Sequence, residues 1–257
     1  MSMLAVAGCV MSGAAQADML YTVIDDGSNS KFAAINPTTL ALTVIGNTGV
    51  GGAFGDLAYD ATSGTMYWAA GRNNNQLYTI NMSTGTATLV GNHGVNDLFA
   101  LGWNGSGLYG LDSSGQFYSL NTSTGAATNL GQNNIYAGGL DLNTTTGQMI
   151  SITAGSGTFH SVNTGNGAAT QLATGSWVND GDVAYDAGRN AYWVIDYSQN
   201  LFRYDANTYA RTTLSDAMPY GTASLEHVGA VPEPETYALL MAGLGLMGTI
   251  ARRRRMK

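Results

Sequence analysis

The chain has 257 residues, only 11% of them charged, with 35 glycines and 4 prolines, a composition that suits short strands joined by tight turns and argues against long solvated helices. Between Asp18 and Val231 five cations face 15 carboxylates, a net of −10, and a body this acidic repels phosphate backbones, which excludes nucleic acid as an expected partner. The single cysteine, Cys9, lies in the leader, so residues 18–230 hold no disulfide, no thiolate metal site and no cysteine nucleophile.

Residues 1–17 are uncharged and end in the small-x-small run Ala15-Gln16-Ala17, the pattern of a secretory signal cleaved before Asp18. Its basic opening region is missing, and Val6-Ala7-Gly8-Cys9 offers a competing lipobox reading in which Cys9 carries lipid.

The body, 18–230, repeats. A strand ends in Asn or Asp, a polar turn follows, and a second strand runs to a small residue: KFAAINPTTLALTVIG, QLYTINMSTGTATLVG, QFYSLNTSTGAATNLG, TFHSVNTGNGAATQLA and NLFRYDANTYARTTLS. The turn openers Asn36, Asn81, Asn121, Asn163 and Asp205 are spaced by 45, 40, 42 and 42 residues. Asn and Asp bond their own backbone two residues on, and Gly85, Gly125 and Gly167 can take positive φ, so each unit reads as a hairpin. Two further strands precede each hairpin, as in Gly55-Asp56-Leu57-Ala58-Tyr59-Asp60 with Met66-Tyr67-Trp68, and Gly181-Asp182-Val183-Ala184-Tyr185-Asp186 with Tyr192-Trp193-Val194. Four strands per unit of this period predict an all-β, five-bladed β-propeller. The first unit lacks its opening strand, and an orphan strand at 223–228 is expected to supply it and close the ring. A β-sandwich with a smaller β domain is the competing architecture.

Blade-to-blade connections and the loops between second and third strands share one face of a propeller. That face is expected to gather Phe54, His93, Phe99, Tyr136, Trp177 and Tyr220, with Asp25, Asp26, Arg72, Asn73, Asn74, Asn75, Asp112 and Asp196. Aromatic rings beside amides and carboxylates suit sugar recognition. The binding residues expected are Trp177, Tyr136, Asn179, Asp180, His93 and Tyr220, with Trp177 the anchor; packing between blades is the alternative use of the rings. Asp56, Asp141 and Asp182 fall on innermost strands, where they could hold a cation, act on a glycosidic bond, or cap exposed backbone N–H groups. No histidine cluster with ligand spacing, nucleophilic triad or phosphate loop is present, so no metal, cofactor or enzymatic activity is expected; a secreted glycoside-active enzyme using the channel carboxylates is the alternative.

The chain ends in Val231-Pro232-Glu233-Pro234, an uncharged run at about 236–251, and the cluster Arg252, Arg253, Arg254 and Arg255. Two prolines cannot continue a helix, so the motif should stay extended beside a short membrane helix whose arginines remain cytoplasmic. The glycines of Gly243-Leu244-Gly245-Leu246-Met247-Gly248 mimic a dinucleotide-binding pattern, but no strand precedes them. This arrangement resembles the PEP-CTERM sorting signal. The resemblance implies residues 231–257 as a sorting tail, the secretion machinery and an exosortase as partners, and transient inner-membrane anchoring in a Gram-negative bacterium. The destination it implies is the cell surface or extracellular matrix, in an exopolysaccharide or biofilm context.

Overall fold

A computed structural model describes residues 18–25, 29–52, 54–215, 217–219, 221 and 224–230. The leader 1–17, Asp26, Tyr220, the Pro-Glu-Pro motif, the membrane helix expected at 236–251 and the arginine cluster lie outside these residues. Among the described residues no helix is long and apolar enough to cross a membrane.

Met19–Val228 is a five-bladed β-propeller of four-stranded antiparallel sheets. Blade 2 holds β4 (Asp56–Asp60), β5 (Thr65–Ala69), β6 (Gln76–Ile80) and β7 (Ala87–Asn92), ordered from the axis outward. Blade 3 holds β8 (Leu98–Trp103), β9 (Leu108–Asp112), β10 (Gln116–Leu120) and β11 (Ala127–Gln132). Blade 4 holds β12 (Ala137–Asn143), β13 (Gln148–Thr153), β14 (Phe159–Val162) and β15 (Ala169–Ala173). Blade 5 holds β16 (Asp182–Asp186), β17 (Ala191–Ile195), β18 (Leu201–Asp205) and β19 (Arg211–Ser215). Blade 1 is β1 (Met19–Ile24), β2 (Lys31–Ile35) and β3 (Leu42–Asn47), and β20 (Glu226–Val228) pairs with β1 through Met19↔Val228, Leu20↔His227 and Tyr21↔Glu226. Inner strands neighbour one another around the axis in the order β4, β8, β12, β16, β20 and back to β4.

Blades stack face to face, so inner and middle strands are covered on both sides and read as near-continuous apolar runs; every residue of β17 is buried. Outer strands are half exposed, with one burial pattern shared by β3, β7 and β11. Each outer strand carries a β-bulge at the same place. Phe32 pairs with Gly46 and Ala33 with Val44, which leaves Ile45 as the extra residue. Val90, Leu130, Leu172 and Leu214 are its counterparts. All five are aliphatic, and the bend turns each against the apolar layer of its junction.

The turn chemistry takes the expected form. Asn36 Oδ1 accepts from the N–H groups of Thr38 and Thr39, both at 2.9 Å, and Asn81, Asn121, Asn163 and Asp205 accept equivalent bonds. The fifth residue of every turn is left-handed: Leu40, Gly85, Gly125, Gly167 and Tyr209.

Candidate functional site

The axis collects four carboxylates, three of them expected. Asp56 accepts from Leu57 N–H at 2.6 Å and from Leu101 N–H of blade 3 at 2.7 Å. Asp141 accepts from Leu142 N–H at 2.6 Å and from Tyr185 N–H of blade 5 at 2.5 Å. Asp182 accepts from Val183 N–H at 2.6 Å and from Leu225 N–H, ahead of β20, at 2.5 Å. The fourth is Glu226 on β20, which accepts from Tyr59 N–H of blade 2 at 3.0 Å. Each acid therefore ties the inner edge of one blade to another, where an unpaired N–H would cost about 1–3 kcal/mol.

Burial keeps all four pKa values high. Asp141 is pushed up to about 7 by desolvation, against the lowering effect of the Tyr185 and Leu142 amides. Asp56 lies well above the ordinary carboxylate range through burial and then repulsion from Asp182, and it shares a hydrogen bond with that residue. Glu226 is raised by burial and then by the charges of Asp141 and Asp56. Asp56 and Asp182 are at most 1% exposed, so the acids are closed to a substrate in this conformation, and their oxygens are occupied by backbone N–H groups.

Above the axis, on the face of the blade-to-blade loops, an arc of rings crosses four blades. Tyr197 lies 4.6 Å from Phe54, Phe54 6.1 Å from Phe99, and Phe99 meets Tyr136 edge-on at 6.1 Å. The Arg72 guanidinium sits 4.4 Å from the Phe54 centroid and 5.4 Å from that of Phe99. Asp180 completes a shallow cleft with Phe54, Phe99, Tyr136, Ala137 and Gly138. The Tyr136 phenol is raised first by burial and then by the charge of Asp180 and a hydrogen bond to it. Phe99 is buried, Tyr136 is 36% exposed, and Trp177 is 60% exposed.

The remaining expected face residues serve their own loops. His93 is buried, its pKa is lowered to about 4 by desolvation, and its Nδ1 accepts from Val95 N–H. Asn179 donates through its side chain to Ser198 Oγ at 2.8 Å, and Asp196 accepts from Asn179 N–H and Asn200. Asp112 is filled by Ser114, Gln116 and Tyr118. The expected face residues omit Tyr197, which sits in a polar loop with no strand pattern around it. A groove of about 370 Å³ on the opposite face, between blades 3 and 4, gathers residues that no sequence motif links; Asn104, Gln148, Asn163, Thr164 and Thr170 line it with amides and hydroxyls, and among the described residues no ring or charge lines it.

Two solved structures share this architecture at low identity. A chain of the nidogen/laminin complex aligns with a TM-score of 0.54 and 12% identity over 82% of this chain and 85% of its own. A structural genomics protein of unknown function from Bacteroides thetaiotaomicron VPI-5482 aligns with a TM-score of 0.58 and 13% identity over 86% and 67%. At these identities the likeness shows the fold alone. No curated protein matches the sequence. By fold, then, the body is a five-bladed β-propeller. Residues 230–255 match the PEP-CTERM protein-sorting motif, so the chain carries that motif behind the propeller, which implies an exported protein processed by an exosortase.

Proposed function

We propose that this protein is an exported binding module rather than an enzyme, carried across the inner membrane of a Gram-negative bacterium and released by an exosortase to the cell surface or matrix. In this reading residues 1–17 are the signal peptide, a helix at about 236–251 anchors the precursor, and β20 holds the ring closed. The ligand is an extracellular polysaccharide, and its docking surface is the face bearing Trp177, Tyr136 and Asp180.

The observation that carries the reading is the contrast between the two sets of polar groups. The axial acids are buried and consumed by amides, while Trp177 is offered to solvent from a loop rich in small residues. An exposed indole on an otherwise polar loop suits the apolar face of a sugar ring. A glycan-array screen of the processed, exported protein tests it, with hydrolysis assayed in parallel. Trp177→Ala should weaken binding by about 2 kcal/mol, in the range of a hot-spot residue, and leave stability almost unchanged. A stability loss of about 3–5 kcal/mol would instead place the indole in a packing role. Absence of any glycan ligand, or turnover of a bound one, would overturn the reading.

A further inference from the structure

We propose that the ring arc is built around Arg72 as a recognition site for a carboxylate-bearing saccharide, such as a uronic acid residue. This rests on the saccharide reading of the face and names the class of sugar. Arg72 is exposed and makes no hydrogen bond or ion pair among the described residues; its guanidinium lies over the Phe54 and Phe99 rings and near enough to Tyr136 for its charge to act on that phenol. A guanidinium held over ring faces by cation–π attraction keeps its N–H fork for a further partner, and a carboxylate is the partner that takes two of those bonds in parallel.

The neighbourhood is arranged to hold the guanidinium at this spot. Among the described residues Phe54 is the one bulky aromatic of the left-handed positions ahead of an inner strand, with φ of 56°; Asp97, Asn134 and Asp180 are the left-handed residues ahead of β8, β12 and β16. That backbone is unfavourable for a Phe and here places its ring between Tyr197 and Arg72. Tyr136, on the far side of Phe99, supplies a half-open ring for the sugar face, and Asp180 beside it supplies an acceptor for a hydroxyl. The acidic body repels a polyanion at long range, but that repulsion fades beyond about 8 Å at physiological ionic strength, so recognition falls to the local cation.

Calorimetry on the processed, exported protein tests this with three probes of matched length: oligogalacturonate, neutral oligogalactose and oligoglutamate. Oligogalacturonate should bind at least about tenfold tighter than oligogalactose and weaken with added salt. Arg72→Gln should abolish that preference, and Arg72→Lys should restore only part of it, because an ammonium cannot form the two-pronged bond. Thermal unfolding of each variant should stay near the parent's. Equal affinity for the charged and neutral sugars, or an unchanged preference in Arg72→Gln, would overturn the inference while the saccharide reading stands. Binding of oligoglutamate alone would remove the saccharide class and with it both readings; silence from all three probes would overturn the uronate inference and leave the saccharide reading to the glycan array.

Discussion

The junctions between blades fall into two kinds. From blade 1 to blade 4 the hairpin turn of each blade lies on the bulged strand of the one before, backbone on backbone. A Cβ on Gly46, Gly91 or Gly131 would stand 2.0, 1.9 or 2.0 Å from the carbonyl oxygen of Thr84, Thr124 or Asn166. The left-handed turn residues facing them are Gly85, Gly125 and Gly167. From blade 4 to 5 and from 5 to 1 the same two positions read Ala173 with Tyr209 and Ser215 with Leu40. The turn backbone keeps its pose, with φ of 57° at Tyr209 and 60° at Leu40, but a side chain fills the junction. The Tyr209 ring lies 5.1 Å from Phe159 and 6.0 Å from Tyr192, and Leu40 packs on the cluster of Leu20, Trp193 and Leu225. At Gly46, Gly85, Gly91, Gly125 and Gly131 glycine is thus required by the approach of a neighbouring backbone rather than by the turn itself, and at Gly167 by the Phe117 side chain, whose Cβ would stand 2.5 Å from an added Cβ.

The largest effect should come from breaking the side-chain-filled half at β20. Deleting residues 224–230 removes the Ser224 hydroxyl that accepts from Val23 N–H at 2.7 Å, the Leu225 amide held by Asp182, and Glu226 with its bond to Tyr59. It also bares the β1 edge to other chains. Cooperative unfolding in urea should be lost and the protein should aggregate on size exclusion. A deletion variant as soluble and cooperative as the parent would separate ring closure from this strand.

Gly91→Ala comes next and strikes the glycine-locked half. Gly91 has no left-handed φ to satisfy, so the penalty is steric, and the opposing atoms are backbone that cannot rotate away. We expect a loss of about 1–3 kcal/mol in urea unfolding. Ala173→Gly, at the matching position of the blade 4–5 junction, should cost no more than about 1 kcal/mol, an entropic effect. Equal losses at the two sites would erase the distinction between junctions.

How much of this was legible beforehand follows the range of the interactions. The period, the Asn and Asp openers and the turn glycines are local chemistry, because an Asx side chain satisfies amides two or three residues away. Asp56, Asp141 and Asp182 could be placed on the axis because each sits in a recognisable inner strand. Glu226 lies in the strand that the repeat already assigns to the inner edge of blade 1, but that strand is three residues long and lacks the Gly-Asp opening of Asp56 and Asp182, so nothing local marks its carboxylate. Tyr197 was hidden for the same reason: its ring partner Phe54 is three blades away in sequence, and no periodicity links the two loops. The aliphatic residue before each strand-end Gly, Ala or Ser was visible as a repeat, but its role in a bulge depends on register against the neighbouring strand.

The axial acids make the halves respond together to pH. Folding raises the Asp141 pKa from 3.8 to about 7, so the fold favours the protonated acid. Its stabilising contribution is complete below about pH 4 and is lost as pH rises through 7; Asp56, Asp182 and Glu226 act in the same direction. Acidification from pH 8 to 6.5 should therefore raise stability, by on the order of 1 kcal/mol from Asp141 alone. Below pH 6.5 His93 opposes the trend, because burial lowers its folded pKa to about 4 while the unfolded chain takes up the proton. Thermal unfolding across this range checks the sign, and Asp141→Asn should flatten the upper limb. A melting temperature that falls from pH 8 to 6.5 would contradict burial of the acids.

The smallest effect isolates backbone from side chain at Tyr209. Its ring is half buried against Phe159 and Tyr192, so Tyr209→Ala removes that contact and keeps a Cβ in the left-handed pose. Tyr209→Gly removes the same ring and relieves the pose as well. The ring contribution cancels between the two variants. What remains is the left-handed strain of a non-glycine residue, about 1–2 kcal/mol, offset by the greater freedom that Gly gives the unfolded chain, roughly 0.5–1 kcal/mol. Tyr209→Gly should therefore exceed Tyr209→Ala in stability by up to about 1 kcal/mol in urea unfolding. If the Ala variant is instead the more stable, the turn at this junction has relaxed out of the left-handed region once the ring is gone. The ring would then be holding the backbone in the pose that glycine adopts freely in blades 2, 3 and 4.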